Sequence, residues 1–284
     1  MTKILVCGAN SFVAQGFVGI LQCQGYEVDT FSRGHNNSVS GVYQEIDKNE
    51  KLAAQYDVVV NFAVLKTESV EENVKYAKSL IKMCKERRVK KLIHFSTIMN
   101  YDYNEKAVTE KTPIEKLSDT IKKGYAEIKI AVDEYLLSVK DSLSFELVLV
   151  RPGYVLADGR PCPFIKKLPI GFSVIKGNKR SKQPIVKREE IHQALVQIIK
   201  IEHNDGVYHF FPNDGMTKYR YAKQTVGGVI LTMPKWLFKG VPQIMCKVGI
   251  MPKALYSRFE GMYIKSVFSS SRTEEKLNIK FTSI

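Results

Sequence analysis

The sequence predicts an α/β fold: an open, doubly wound parallel sheet with a smaller C-terminal lobe. Three observations lead there. Short, continuously apolar runs such as residues 57–64 (DVVVNFAV) have the composition of parallel strands buried on both faces. Through the first 150 residues they alternate with longer, charged stretches of helical periodicity. The length, 284 residues at 44% hydrophobic, suffices for a full core without metal or disulfide staples.

Residues 3–8 (KILVCG) read as a strand ending in glycine, residues 12–21 place apolar side chains at helical spacing, and residues 28–31 read as the second strand. A third strand is expected before Asp47. Residues 57–64 follow as strand, 71–88 as a charged amphipathic helix, 91–96 (KLIHFS) as strand and 114–139 as a long helical region. Residues 144–150 (SFELVLV) are strand again, stopped by Arg151-Pro152-Gly153. After Gly153 the pattern loosens. Residues 157–188 are rich in Pro, Gly and Lys, 189–201 look helical, and 215–284 mix short helices with Pro and Gly breaks. The expected division is a dinucleotide-binding domain over 1–155, with 185–201 returning to it, and a substrate-binding lobe over 156–284.

Composition narrows the setting. The five cysteines are scattered and form no Cys-x-x-Cys pair, which disfavours a disulfide framework and a zinc site; no metal is expected, and a reducing, cytoplasmic compartment fits. Gly8, Asn10, Ser11 and Gln15 interrupt the N-terminal apolar run that a signal peptide would need, and no stretch of about 18 apolar residues is present. The net charge of +14 is unevenly placed. Residues 1–150 carry 20 basic and 20 acidic side chains, whereas residues 151–284 carry 23 basic and 9 acidic. Such an excess attracts phosphates, nucleic acid or an anionic membrane face. With no zinc-finger spacing and no aromatic-basic recognition motif, nucleic acid is set aside. Residues 225–259 mix Trp236, Phe238, Met245 and Met251 with Lys235, Lys239, Lys247 and Lys253. Peripheral contact with the inner membrane surface is one reading of that mixture, and core packing is the other.

The chemistry-bearing residues begin with the turn Gly8-Ala-Asn10-Ser11-Phe12-Val13-Ala14-Gln-Gly16. A strand-to-helix turn of this kind aims backbone N–H groups and a helix N-terminus at a pyrophosphate, with Ser11 and Ala14 as small residues where glycines would be expected. Ser32-Arg33 closes the second strand where an acidic residue would hold the ribose hydroxyls of NAD; hydroxyl plus guanidinium suits the 2′-phosphate of NADP. NADP(H) is therefore the expected cofactor and NAD(H) the alternative. Asp47 is placed to accept a hydrogen bond from adenine. Tyr125-Ala-Glu-Ile-Lys129 puts a phenol and an ammonium on one helix face. A neighbouring cation favours phenolate, which equips Tyr125 as a general acid or base. Thr97 ends a parallel strand, where catalytic groups gather in such sheets, and its hydroxyl suits a substrate carbonyl or alcohol.

These pieces together resemble the extended short-chain dehydrogenases/reductases, which include nucleotide-sugar epimerases, dehydratases and ketoreductases. The likeness rests on the Gly8 turn, Asp57-Val-Val-Val-Asn-Phe-Ala63, Asn73-Val74, Phe95-Ser-Thr97 with Tyr101 beyond it, Tyr125-x-x-x-Lys129 with Asp133, Arg151-Pro-Gly153 and Lys187-Arg-Glu-Glu-Ile191. It implies a Rossmann sheet and an NAD(P)-dependent ketoreductase or epimerase acting on a nucleotide-diphosphate sugar in cell-surface polysaccharide biosynthesis. It further implies that Lys129 also binds the nicotinamide ribose, that Asn10, Phe12, Val13, Ala63, Val64 and Pro152 line the cofactor pocket, and that Tyr101 meets the substrate. Lys179, Arg180 and Lys182 fall roughly where the family contacts a substrate diphosphate. Family dehydratases carry Asp-Glu directly after the catalytic threonine; here Ile98 and Met99 stand there, so elimination lacks its acid and base. The alternatives are a reductase of another small carbonyl compound and a catalytically idle NADP(H)-binding sensor or assembly protein. A homodimer is a further expectation.

Overall fold

The computed structural model describes all residues except 35–37, 103, 158–161, 163, 169–170, 227, 233–235, 253–254, 257–265 and 283–284. In chain order the strands are β1 (Lys3–Cys7), β2 (Glu27–Ser32), β3 (Val39–Ser40), β4 (Val58–Asn61), β5 (Lys91–Phe95), β6 (Ala107–Val108) and β7 (Glu146–Pro152). They continue as β8 (Tyr154–Leu156), β9 (Ile165–Lys167), β10 (Phe172–Ile175), β11 (Ile185–Lys187), β12 (Gly206–Phe210), β13 (Val229–Thr232) and β14 (Val267–Phe268). The helices are α1 (Phe17–Cys23), α2 (Val70–Glu86), α3 (Tyr125–Val139), α4 (Arg188–Lys200), α5 (Lys218–Thr225), α6 (Val241–Lys247) and α7 (Ser271–Leu277). Among the described residues, no helix is long and apolar enough to cross a membrane.

The chain divides into two compact units. The first comprises residues 1–100, 124–152 and 188–208; the second comprises 101–123, 153–187 and 209–284. Residues 101–123, which the sequence reading kept with the first domain, thus belong to the second unit. The seven-stranded sheet runs β12-β7-β5-β4-β1-β2-β3, and the pairings from β7 to β3 are all parallel. Strand order reverses between β1 and β4, which makes their carboxyl ends the topological switch point where such sheets bind ligands. β1, β4 and β5 are buried almost throughout, as their unbroken apolar runs require. α2 covers this sheet with Leu80, Ile81 and Met83, which pack into a core with Leu5, Val59 and Leu92. Ser69 caps α2 by accepting from Glu72 N at 3.2 Å, and Glu71 and Glu72 complement its first turn.

Two helix starts differ from expectation, each because of a glycine. Residues 8–16 form successive turns, with Ser11 N donating to Gly8 O and Ala14 N to Ser11 O. The helix expected from residue 12 begins only at Phe17, after Gly16 at φ 85°. The long helix expected over 114–139 begins at Tyr125, because Gly124 adopts φ 67°, ψ −126°, a conformation outside the reach of other residues. The third strand before Asp47 is only the two residues of β3, followed by a 3₁₀ stretch over Tyr43–Lys48.

The second unit has a smaller core in which Phe164, Ile175, Ile185, Met216 and Tyr221 cluster. Around it lie a β13-β10-β9 sheet and the β11–β8 and β14–β6 pairs.

Candidate active site

At the carboxyl edge of the seven-stranded sheet, a file of aromatic rings supports the loops. Phe62, just past β4, packs 5.7 Å from Phe17 and 5.0 Å from Phe95 between ring centroids. Gly8 closes β1 beside it at φ 74°, its N–H donating to Phe31 O at 3.0 Å. A Cβ at this position would stand 2.8 Å from Ala63 N, so only glycine allows the β1 and β4 ends to approach this closely. Gly8 is itself buried by this approach. Ser11 spends its hydroxyl within the loop, accepting from Ala14 N at 3.3 Å. Asn10 is exposed, and Phe12 and Val13 are half-buried. The Arg188 guanidinium lies 5.7 Å from the Phe12 ring centre, and His192 donates to Val13 O at 2.7 Å. The phosphate-facing amides expected from a helix N-terminus therefore lie in a series of turns.

Ser32 and Arg33 end β2. Ser32 Oγ accepts from Gly34 N at 3.1 Å, and Arg33 forms an exposed ion pair with Glu68 at 3.2 Å. Asp47 is less available than its sequence position suggests. One of its carboxylate oxygens accepts a short hydrogen bond from Ser79 and the other pairs with Lys82 at 2.8 Å, so an adenine amine would have to share them.

The centre of the site is Lys129. Buried on α3 one turn beyond Tyr125, it donates from Nζ to Phe95 O at the end of β5 and lies 6.0 Å from the Tyr125 ring centre. Burial pulls its pKa from 10.5 down to about 8; the Asp133 charge opposes that fall and the Lys66 charge adds to it. Tyr125 opens the helix, 39% exposed, and Lys66 also lies 5.9 Å from its ring centre. Thr97 follows β5 two residues after Phe95 and is buried, its Oγ1 accepting from Met99 N at 3.2 Å. Asn100 ties this loop to α3 by donating to Ser96 Oγ at 3.0 Å and Lys129 O at 3.2 Å. Asp133 in turn binds the buried Arg151 guanidinium at 3.0 Å, beside Pro152 at the end of β7.

Behind Lys129 is a small cavity of about 10 Å³, lined among others by Ala63, Val64, Asn61, His94 and Tyr76. Asn61 Oδ1 accepts from Ala63 N at 3.0 Å and Tyr76 OH at 2.8 Å, which fixes the amide so that Nδ2 donates to His94 Nδ1 at 3.0 Å. The ring proton of His94 then sits on Nε2, which finds no hydrogen-bond partner among the described residues. Burial and the Lys129 charge hold His94 neutral, its pKa well below 6.5. Sequence reasoning missed Asn61, Lys66, His94 and Asn100.

Tyr101, expected at the substrate, is buried in the second unit with its hydroxyl 2.6 Å from His209 Nε2. Lys179, Arg180 and Lys182, in the same unit, are exposed around one turn in which Asn178 Oδ1 accepts from Arg180 N at 3.0 Å. Of the segment 225–259, Lys235, Lys253 and residues 227, 233–234, 254 and 257–259 lie outside the described residues.

A family model described as the NAD dependent epimerase/dehydratase family matches residues 4–181. No curated protein matches the sequence. Among solved structures, MoeE5 in complex with UDP-glucose and NAD is similar at TM-score 0.71 and 14% identity, covering 99% of this chain and 94% of that one. UDP-N-acetylglucosamine 4-epimerase from Bacillus cereus is similar at TM-score 0.68 and 16% identity, covering 100% and 94%. A human epimerase family protein with NADPH gives TM-score 0.69 and 16% identity, covering 99% and 95%. At these identities the likeness establishes the fold.

Proposed function

Because this chain belongs to the NAD dependent epimerase/dehydratase family, whose members are nicotinamide-dependent enzymes, we propose that it is a ketoreductase or epimerase of a nucleotide-diphosphate sugar. In this reading it uses NADP(H) in preference to NAD(H) and serves cell-surface polysaccharide biosynthesis in the cytoplasm. The observation that carries the proposal is Lys129, a buried cation of lowered pKa that joins the β5 end below Thr97 to the Tyr125 ring.

The Gly8 turn, Ser32, Arg33, Ala63, Val64 and Pro152 would hold the cofactor, which supplies hydride donation and acceptance when bound. Lys129 would hold the ribose and, with Lys66, provide the positive field that favours Tyr125 phenolate. Tyr125 exchanges a proton with the sugar oxygen while Thr97 Oγ1 orients that oxygen. Arg33 would exchange Glu68, an exposed partner of little energetic weight, for a 2′-phosphate. Lys179, Arg180 and Lys182 supply positive charge suited to a diphosphate. Ile98 and Met99 offer no acid or base for elimination. Solved relatives in fold that hold UDP-glucose or UDP-glucuronic acid with NAD, or NADPH, support both ligand classes.

The test is a panel of nucleotide sugars and their 4-keto forms, followed by NADPH absorbance and product NMR. Tyr125→Phe should lower turnover about 10²-fold or more with cofactor affinity nearly unchanged, and Thr97→Val should lower turnover with binding spared. Near-normal turnover in Tyr125→Phe would remove the phenol from the reaction, and a 4-keto-6-deoxy product would return dehydration.

A further inference from the structure

The second unit carries an apolar surface that its own core does not use. Trp236–Gly240 and α6 form one continuous helical stretch, since Gly240 has helical angles at their junction. Leu237, Val241, Ile244 and Val248 recur along it at intervals of four, three and four residues, which places them on one face. All four are exposed, while Pro242 on the opposite side is buried and Met245 and Cys246 are half-buried. Ile250, just past the helix, is 69% exposed.

The three-stranded sheet that precedes this helix repeats the pattern. Register pairs Phe172 with Val229 and Val174 with Leu231, and the alternating residues Ser173 and Ile175 are buried. Phe172, Val229 and Leu231 therefore share the outer face, where alternation should place polar residues, and all three are exposed. Lys166 and Lys167 stand exposed on the neighbouring β9.

Charge identifies the occupant. Residues 215–259 contain eight Lys or Arg and no Asp or Glu; among the described side chains Arg220, Lys223 and Lys247 are exposed and Lys218 is buried. A second copy of such a face would oppose cation to cation, whereas an anionic leaflet complements it. Trp236, 68% exposed at the start of the helix, has the amphipathic ring that favours the headgroup level. We propose that the exposed stripe of the 236–250 helical stretch in the second unit docks the protein peripherally on an anionic lipid bilayer. The proposal is independent of the reaction assigned above.

Trp236 is the only tryptophan, so the full chain carries its own reporter. Vesicles of phosphatidylcholine with 30% phosphatidylglycerol should shift Trp236 emission to the blue and carry the protein down on sedimentation. Pure phosphatidylcholine should bind at least about tenfold more weakly, and rising salt should weaken capture by the anionic vesicles. Ile244→Glu with Val248→Glu should abolish capture with the melting temperature unchanged, since both side chains are exposed. Lys247→Glu, which leaves the apolar stripe intact, should weaken it several-fold. Failure of the wild type to sediment with anionic vesicles at low salt would overturn the proposal. So would a vesicle-free dimer, seen by sedimentation velocity, that the Ile244→Glu, Val248→Glu variant dissolves.

Discussion

Replacing Lys129 with methionine should make the protein more stable at neutral pH as it destroys the site. The ammonium is buried, and folding lowers its pKa from 10.5 to about 8. At about 1.4 kcal/mol per pH unit, that fall corresponds to about 3 kcal/mol by which the charged lysine disfavours the native state. The sign follows from proton binding. Between pH 8 and 10.5 the unfolded chain holds the proton more firmly than the folded one, so wild-type stability climbs with pH through this window. Below pH 8 the full penalty is present. Methionine keeps the apolar stem and removes the charge, but forfeits the hydrogen bond to Phe95 O, worth about 1 kcal/mol. The variant should therefore exceed the wild type by about 2 kcal/mol at pH 7, and the gap should fall by about 2–3 kcal/mol on moving to pH 10. Urea unfolding of both proteins without cofactor, at unit steps of pH, measures this directly. Other tyrosines and lysines titrate alike in the two proteins and cancel in the difference. A stability difference that stays flat from pH 7 to pH 10 would show that Lys129 is not held against its charge, and with it would go the case for a tuned cation beside Tyr125.

Gly8→Ala should lose about 2 kcal/mol in chemical denaturation, because alanine meets both the positive φ and Ala63 N at 2.8 Å; stability equal to wild type would mean that the β1 and β4 ends separate freely. For the wild type, calorimetry should give NADPH at least several-fold tighter binding than NADH, and Arg33→Ala should narrow the gap with little change in stability, as its exposed pair with Glu68 is worth under about 1 kcal/mol. Equal affinities in the wild type would assign Arg33 to Glu68 alone.

Strand positions were legible in the sequence because burial on both faces leaves an unbroken apolar run, and residues 57–64 and 91–96 announce β4 and β5 within a few positions. The starts of α2 and α4 were also legible to within one residue, whereas those of α1 and α3 were not, because composition shows a glycine without the sign of its φ. Gly16 and Gly124 each delay a helix, and the second delay makes Tyr125 a first-turn residue. Tyr101 fitted a local spacing, yet its environment is set by His209, 108 residues away, which no local pattern encodes. The missed residues behind Lys129 have a different lesson. Asn61 and His94 each interrupt an apolar strand run, and a buried amide or imidazole is costly unless it is bonded. Either polar residue alone predicts an unseen partner. Read together, two such interruptions at the carboxyl ends of adjacent parallel strands point to each other, and the register confirms it: Asn61 stands opposite His94. The pairing also needs the two strands to be neighbours, as sequential strands are roughly two-thirds of the time. The polar wall of the cavity could thus have been derived before any coordinates, whereas Lys66, on a loop after β4, had no periodic frame from which its position beside Tyr125 could be read.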